Sequence, residues 1–222
     1  MSNSDGGRNL IFVGGAPRSG TSLVQKVINL HPAIYAGPEF EHLYRLLKCY
    51  RAMKNQNRSG SNYYSAELLI EQYSRFIGEI FFRKIETEKV DILSEKTPTN
   101  VLVFEELCEL FPAARFIFVV RDPRDSIVSF RDVAARQERT KKNRNIGRNL
   151  FSDLSRLRQF LEAGETFHKN HHDACFLVIY EDLVAHPEPT IRQLCSFLDV
   201  EFHPDMLDTA RSDDTSAAIA GG

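Results

Sequence analysis

The chain has 222 residues, 42% of them hydrophobic, with 28 Lys and Arg set against 30 Asp and Glu for a formal net charge of −2. That is enough apolar material for one substantial core, and the charge balance excludes bulk attraction to nucleic acid. No apolar run nears the roughly 18–20 residues of a membrane span. The first nine residues lack the apolar core of a secretion signal, and the four cysteines are scattered without a CxxC pair, so a reduced, cytoplasmic protein with no metal site is expected.

Taken in order, residues 1–8 are polar and Gly-rich and read as a disordered tail. The apolar run 10–13 reads as a buried strand entering a Gly-rich turn, and Leu23, Val24, Val27, Ile28 and Leu30 then recur at helical spacing until His31-Pro32 ends the helix. A short strand follows at Ile34–Ala36, then a helix over 39–53, a polar surface loop over 54–62 and a long amphipathic helix over 65–88. Core strands are expected at 90–93, 115–120 and 174–180, with helices at 100–110, 122–135, 150–168 and 189–198. Residues 211–222 are small and polar and read as a second disordered tail, leaving one domain over 9–210. Strands alternating with helices predict an α/β fold, a parallel sheet covered by helices on both faces. Ligands of such sheets lie beyond the carboxyl ends of the strands, where Arg18, Lys96, Arg121 and Tyr180 all fall.

The loop between the first strand and helix is the most informative stretch. Gly15-Ala16-Pro17-Arg18-Ser19-Gly20-Thr21-Ser22 keeps both glycines and the final hydroxyl of a GxxxxGK[ST] phosphate loop, but Thr21 stands at the lysine position. Loss of that lysine speaks against nucleoside triphosphate hydrolysis. Backbone N–H groups and a helix N-terminus still make an anion cradle, and Arg18 returns a cation to it. The bland alternative is an ordinary strand–helix turn with a surface arginine.

Pro17-Arg18-Ser19-Gly20-Thr21-Ser22 resembles the 5′-phosphosulfate loop of sulfotransferases that use 3′-phosphoadenosine 5′-phosphosulfate (PAPS). A second segment agrees. Residues 116–130 are an apolar strand followed by Arg121 and, eight residues on, Ser129, similar to the family's 3′-phosphate signature. The resemblance runs from about residue 10 to 207. It implies a P-loop-like sulfotransferase fold, PAPS as sulfuryl donor, 3′-phosphoadenosine 5′-phosphate (PAP) as product, no metal, and an acceptor hydroxyl on a protein tyrosine, a carbohydrate or a small molecule.

Sulfuryl transfer needs in-line positioning and charge stabilisation more than covalent catalysis. Anion donors must hold the phosphosulfate, a cation must meet the leaving oxygen, and a base must take the acceptor's proton. The resemblance assigns the first task to Arg18, Ser19, Gly20, Thr21 and Ser22, and the 3′-phosphate to Arg121 and Ser129. Arginine rather than lysine at position 18 looks more like the tyrosylprotein and carbohydrate branches. Glu39 is the candidate base, similar to a Gly-Glu of the tyrosylprotein branch. Pro38 is inserted between Gly37 and Glu39, so Glu41 and His42 stay open as alternatives. Lys96 resembles a lysine placed at the reacting sulfate; its other reading is an ion pair with Glu95 or another nearby acid. Tyr180 matches a cofactor-side tyrosine and reads equally as a packing residue at a strand end. Arg124 and Asp125 read as a surface pair or cap, and the remaining histidines, His171-His172 included, as solvated.

Many sulfotransferases close a Gly-containing basic segment over the 3′-phosphate. Here Arg211 is followed only by small and polar residues, so a differently built lid is expected. Residues 136–148 hold six basic residues and one acid, Glu138, a charge run that is either a solvated face or an attractor of acidic acceptors. Two other functions compete with sulfuryl transfer. One is a P-loop nucleotide or small-molecule kinase, which the missing lysine opposes. The other is an inactive adenine-nucleotide-binding module, which retention of a base and cation opposes.

Overall fold

The computed structural model describes residues 6–58, 63–129 and 150–208. Residues 1–5, the end of the helix expected at 122–135, the basic stretch 136–148 and everything beyond 208 lie outside the described residues. Residues 6–9 form a turn: Ala113 N donates to the Gly6 carbonyl and Leu10 N to that of Gly7, both at 2.8 Å.

Five strands make one all-parallel sheet in the order β2-β3-β1-β4-β5. They are β1 (Leu10–Gly15), β2 (Ile34–Ala36), β3 (Ile92–Lys96), β4 (Arg115–Val120) and β5 (Cys175–Ile179). The helices are α1 (Thr21–Asn29), α2 (His42–Arg58), α3 (Ala66–Glu88), α4 (Phe104–Leu110), α5 (123–129), α6 (Leu150–Asn170), α7 (Tyr180–Ala185) and α8 (Pro187–Leu198), with 3-10 turns at Pro98–Val103 and Pro204–Leu207.

β1 is central and every one of its residues is buried. Strand side chains alternate between faces, so Leu10 and Phe12 join one apolar cluster while Ile11 and Val13 join another. The first cluster is aromatic: Phe12, Phe104, Phe116 and Phe167 meet with ring centroids 4.8–5.7 Å apart, beneath α2, α3, α4 and α6. The second is aliphatic and lies under α1 and α8, closed by Met206. Helices therefore cover both faces, as the alternation of elements predicts.

Several boundaries differ from the sequence expectation. The strand expected at 90–93 is shifted and runs to Lys96, because Glu95 and Lys96 pair in register with Phe12 and Val13. α2 starts at His42, and it extends to Arg58, through much of the expected loop. The helix expected at 100–110 is a 3-10 turn followed by α4. β5 stops at Ile179, so Tyr180 opens α7 instead of ending the strand.

Candidate functional site

The loop after β1 takes its shape from backbone constraints. Arg18 sits at φ 71° and Gly20 at φ 101°, both left-handed, and Ser19 N closes a turn onto the Ala16 carbonyl at 3.0 Å. A side chain at Gly20 would place its Cβ 2.3 Å from the Tyr180 ring, and one at Gly15 would sit 2.4 Å from the Val119 carbonyl oxygen. Each position excludes a side chain as well as turning the chain. α1 then begins with no side-chain cap and no acid in its first turn, so its first N–H groups and dipole remain available to an anion. The Ser19 hydroxyl is buried with no hydrogen-bond partner among the described residues. Buried polar atoms are normally paired, which makes this orphan donor a mark of a site.

The two sequence motifs meet. Arg18 Nε donates to Ser129 Oγ at 3.2 Å, joining the loop to α5 across 111 residues of chain. Arg121, just past β4, has its guanidinium carbon 4.4 Å from the Tyr180 ring centroid, and its Nε is buried without a partner among the described residues. Tyr180 is thus wedged between Gly20 and Arg121, a packing role that also builds the site wall. Asp122 N donates to Glu181 Oε1 at 3.0 Å, fixing the end of β4 against α7. Arg124 pairs with Asp122 at 2.6 Å, so the surface pair is with Asp122 rather than Asp125; this bond holds the Asp122 carboxyl down at about 2.

Across the loop, Lys96 Nζ donates to Glu39 Oε1 and reaches Ser22 Oγ at 3.4 Å. The partner of Lys96 is therefore Glu39 and not Glu95. Lys96 is 7% exposed; Glu39 is more open. Of the three candidate bases only Glu39 contacts Lys96; Glu41 and His42 are exposed, and His42 packs edge-on to Phe40.

Sequence reasoning missed what holds Glu39. The 37–41 segment is pinned by Gly37 N to the Ser94 carbonyl at 3.3 Å, by Gln25 Nε2 to the Gly37 carbonyl at 3.2 Å, and by Phe40 N to Glu95 Oε1 at 3.0 Å. Glu95 is 3% exposed and also accepts from Thr97 Oγ1 at 2.6 Å and from Asn100 Nδ2. Burial pushes its carboxyl above the usual range, against the pull of those donors. A charged residue inside an otherwise buried strand was the available signal. Three of the histidines were also misread: His31 is buried between Ala33 N and the Glu201 carbonyl, His168 contacts the Cys175 carbonyl, and His171 pairs with Glu105 at 3.0 Å, while His172 and His186 are exposed as expected. Among the described residues no group of three or more His, Cys, Asp or Glu could hold a metal, and no helix is long and apolar enough to cross a membrane.

A glycine-shaped loop at a helix start, an arginine just past the neighbouring strand and an acid–lysine pair on the other side form a cationic cleft of P-loop-like build, suited to an anionic group. The match to known proteins narrows this: residues 10–204 fit the sulfotransferase family model, and the chain belongs to that family. It is 30% identical over 206 residues to a Drosophila melanogaster protein-tyrosine sulfotransferase, covering 89% of this chain and 39% of that protein. To Homo sapiens protein-tyrosine sulfotransferase 1 it is 32% identical over 206 residues, covering 89% and 53%. The chain thus spans about half or less of the length of these relatives. In structure it resembles the sulfotransferase domain of the Synechococcus PCC 7002 olefin synthase, with a TM-score of 0.64 at 20% identity over 90% of this chain and 76% of that one. It also resembles mouse sulfotransferase SULT7A1 complexed with PAP, with a TM-score of 0.56 at 15% identity over 92% and 64%. These likenesses bear out the expected α/β sulfotransferase fold.

Proposed function

We propose that this chain transfers the sulfuryl group of PAPS to an acceptor hydroxyl and releases PAP. The observation that carries the reading is the convergence of Arg18, Ser129, Arg121 and the Lys96–Glu39 pair at the carboxyl edge of one sheet. The residues present fit the donor: a side-chain-free cradle at Gly15 and Gly20, an uncapped helix start, and unpartnered buried donors on Ser19 and Arg121. Its relatives named as protein-tyrosine sulfotransferases and the PAP complex of a structural neighbour support the same donor and product.

When bound, PAPS supplies an activated sulfuryl group on a phosphate leaving group. The N–H groups and hydroxyls of residues 19–22 would hold its 5′ end, and Arg121 and Ser129 its 3′-phosphate. Arg18 offers a planar fork that can span two oxygens, and Lys96 a compact cation that would offset the charge left on the departing phosphate. Glu39 accepts the acceptor's proton, and its pairing with Lys96 keeps base and cation within one hydrogen bond of each other. Thr21 at the Walker lysine position disfavours a kinase, and the Lys96–Glu39 pair disfavours an inactive binding module.

The first acceptor to try is a protein tyrosine among acidic residues. The relatives support this, as does the basic run 136–148, which lies outside the described residues. A cytoplasmic, reducing setting belongs to the same proposal, supported by four free thiols. The test is label transfer from sulfur-labelled PAPS to acidic tyrosine peptides, neutral tyrosine peptides, sugars and phenols, at low and high salt. Preferential, salt-sensitive labelling of acidic tyrosine peptides is expected. Preference for sugars or neutral phenols would sink the acceptor assignment, and labelling of none would sink the transferase reading.

A further inference from the structure

We propose that Glu95 is a positioning residue for the reaction: it holds the base Glu39 in place through the backbone N–H of Phe40. This inference rests on the sulfotransferase reading and assigns a role to a residue that the reaction itself does not touch.

Neighbouring residues on a strand point to opposite faces, and β3 uses this at its last two positions. Lys96 reaches toward α1 and Ser22, while Glu95, paired in register with Phe12, enters the aromatic side. A buried acid there costs free energy unless its oxygens are satisfied. They are: Oε1 accepts from Phe40 N at 3.0 Å and Thr97 Oγ1 at 2.6 Å, and Oε2 accepts from Asn100 Nδ2. The Asn100 amide has a fixed orientation, because the same Nδ2 donates to the Val13 carbonyl at 3.2 Å. Both oxygens of Glu95 therefore act as acceptors, as a carboxylate's do.

The result is a strut. One end is tied through Asn100 to central β1 and through Thr97 to the turn after β3; the other end is the amide that immediately follows Glu39. Gly37, two residues before Glu39, is tied to Ser94 and Gln25. Glu39 therefore projects from a segment fixed on both sides, and Pro38 stiffens the space between. Losing the Phe40 anchor frees one side of that segment. A displacement of about 1 Å in a reacting group can lower a rate by roughly 10²-fold.

The experiment compares Glu95→Ala, Glu95→Gln and Thr97→Val in the full chain, alone and combined with Glu39→Gln. Turnover, PAP affinity and amide exchange at Phe40 are the readouts. Glu95→Ala should lower kcat by roughly 10–100-fold, leave PAP affinity within about two-fold and speed Phe40 exchange. Glu95→Gln keeps an acceptor for Phe40 and Thr97 and should recover most of the rate. In the Glu39→Gln background, Glu95→Ala should cost almost nothing further, because it acts through Glu39. Equal additional losses in both backgrounds, or a lower melting point with unchanged kcat, would overturn the proposal. Should Glu95→Ala fail to fold, Thr97→Val, which removes a donor that holds the Glu95 carboxylate in place, carries the same cycle with a smaller loss of rate and faster Phe40 exchange expected. A wild-type chain that transfers no label fails the functional reading instead, and unchanged Phe40 exchange in Glu95→Ala fails the strut independently.

Discussion

The loops after β1 and β2 each deliver a charged side chain to the carboxyl edge of the sheet, and they hold it by different means. Residues 15–22 are held by backbone geometry: two left-handed residues, two positions closed to any Cβ and a helix start. Residues 37–41 are held chiefly by side chains from elsewhere in the chain, Gln25 and Glu95, with one backbone bond from Gly37 N to the Ser94 carbonyl. The first arrangement suits a fixed anion, whose oxygens need many donors at set positions. The second suits a proton acceptor, which needs one carboxylate aimed at one point. The comparison also says which region tolerates change: backbone geometry fails at a glycine, and a side-chain strut fails at its anchor.

The largest expected effect breaks the second loop's purpose. Glu39→Gln should lower kcat by about 10²–10⁴-fold while PAP affinity stays nearly unchanged. Full activity in that variant, with loss in Glu41→Gln or His42→Ala, would move the base one turn along.

Breaking the phosphate side should show in binding instead. Arg121→Ala removes a charge-assisted bond to the 3′-phosphate, roughly 1.5–3 kcal/mol of PAP affinity by calorimetry. Affinity for adenosine 5′-phosphate, which lacks that phosphate, should not change.

A smaller effect sharpens the backbone half of the comparison. Gly20→Ala forces a Cβ into the left-handed region and against Tyr180. A loss of about 1–2 kcal/mol in denaturant unfolding is expected from the conformation alone. Coupling this change with Tyr180→Ala should recover part of it by removing the contact.

The smallest lies away from both loops and serves as a control. Tyr50 is buried and donates to Glu109 at 2.9 Å, and burial followed by that bond raises its hydroxyl's affinity for its proton. Tyr50→Phe should cost about 1 kcal/mol of stability and leave PAP affinity and kcat unchanged.

The difference between the loops also explains what could be read from the sequence. The β1 loop, α1 and the Arg121–Ser129 segment are local patterns, in which strand, turn and helix follow one another within some twenty residues, and each has the expected secondary structure among the described residues. The single-domain α/β sheet was legible for the same reason, through apolar strands such as Arg115–Val120. β3 was read two residues too early and ended too soon because Ser94, Glu95 and Lys96 look like a polar turn. They stay in the strand because they pair with β1 and their side chains are satisfied, Ser94 by Gln25, 69 residues away, Glu95 by Asn100 and Lys96 by Glu39. The strut on Glu39 and the buried setting of His31 were hidden likewise, since hydrogen-bond partners far apart in sequence leave no periodic trace. Tyr180 falls between: its position was legible, but its wedge between Gly20 and Arg121 is a property of the fold.

The central claim is that the loop and Arg121 are two halves of one bisphosphate site, and calorimetric titration with PAP and ATP tests it most directly. One PAP per chain, bound at least tenfold more tightly than ATP, with the preference lost in Arg121→Ala, is the predicted result. ATP binding as tightly as PAP, or a preference that survives Arg121→Ala, would contradict it.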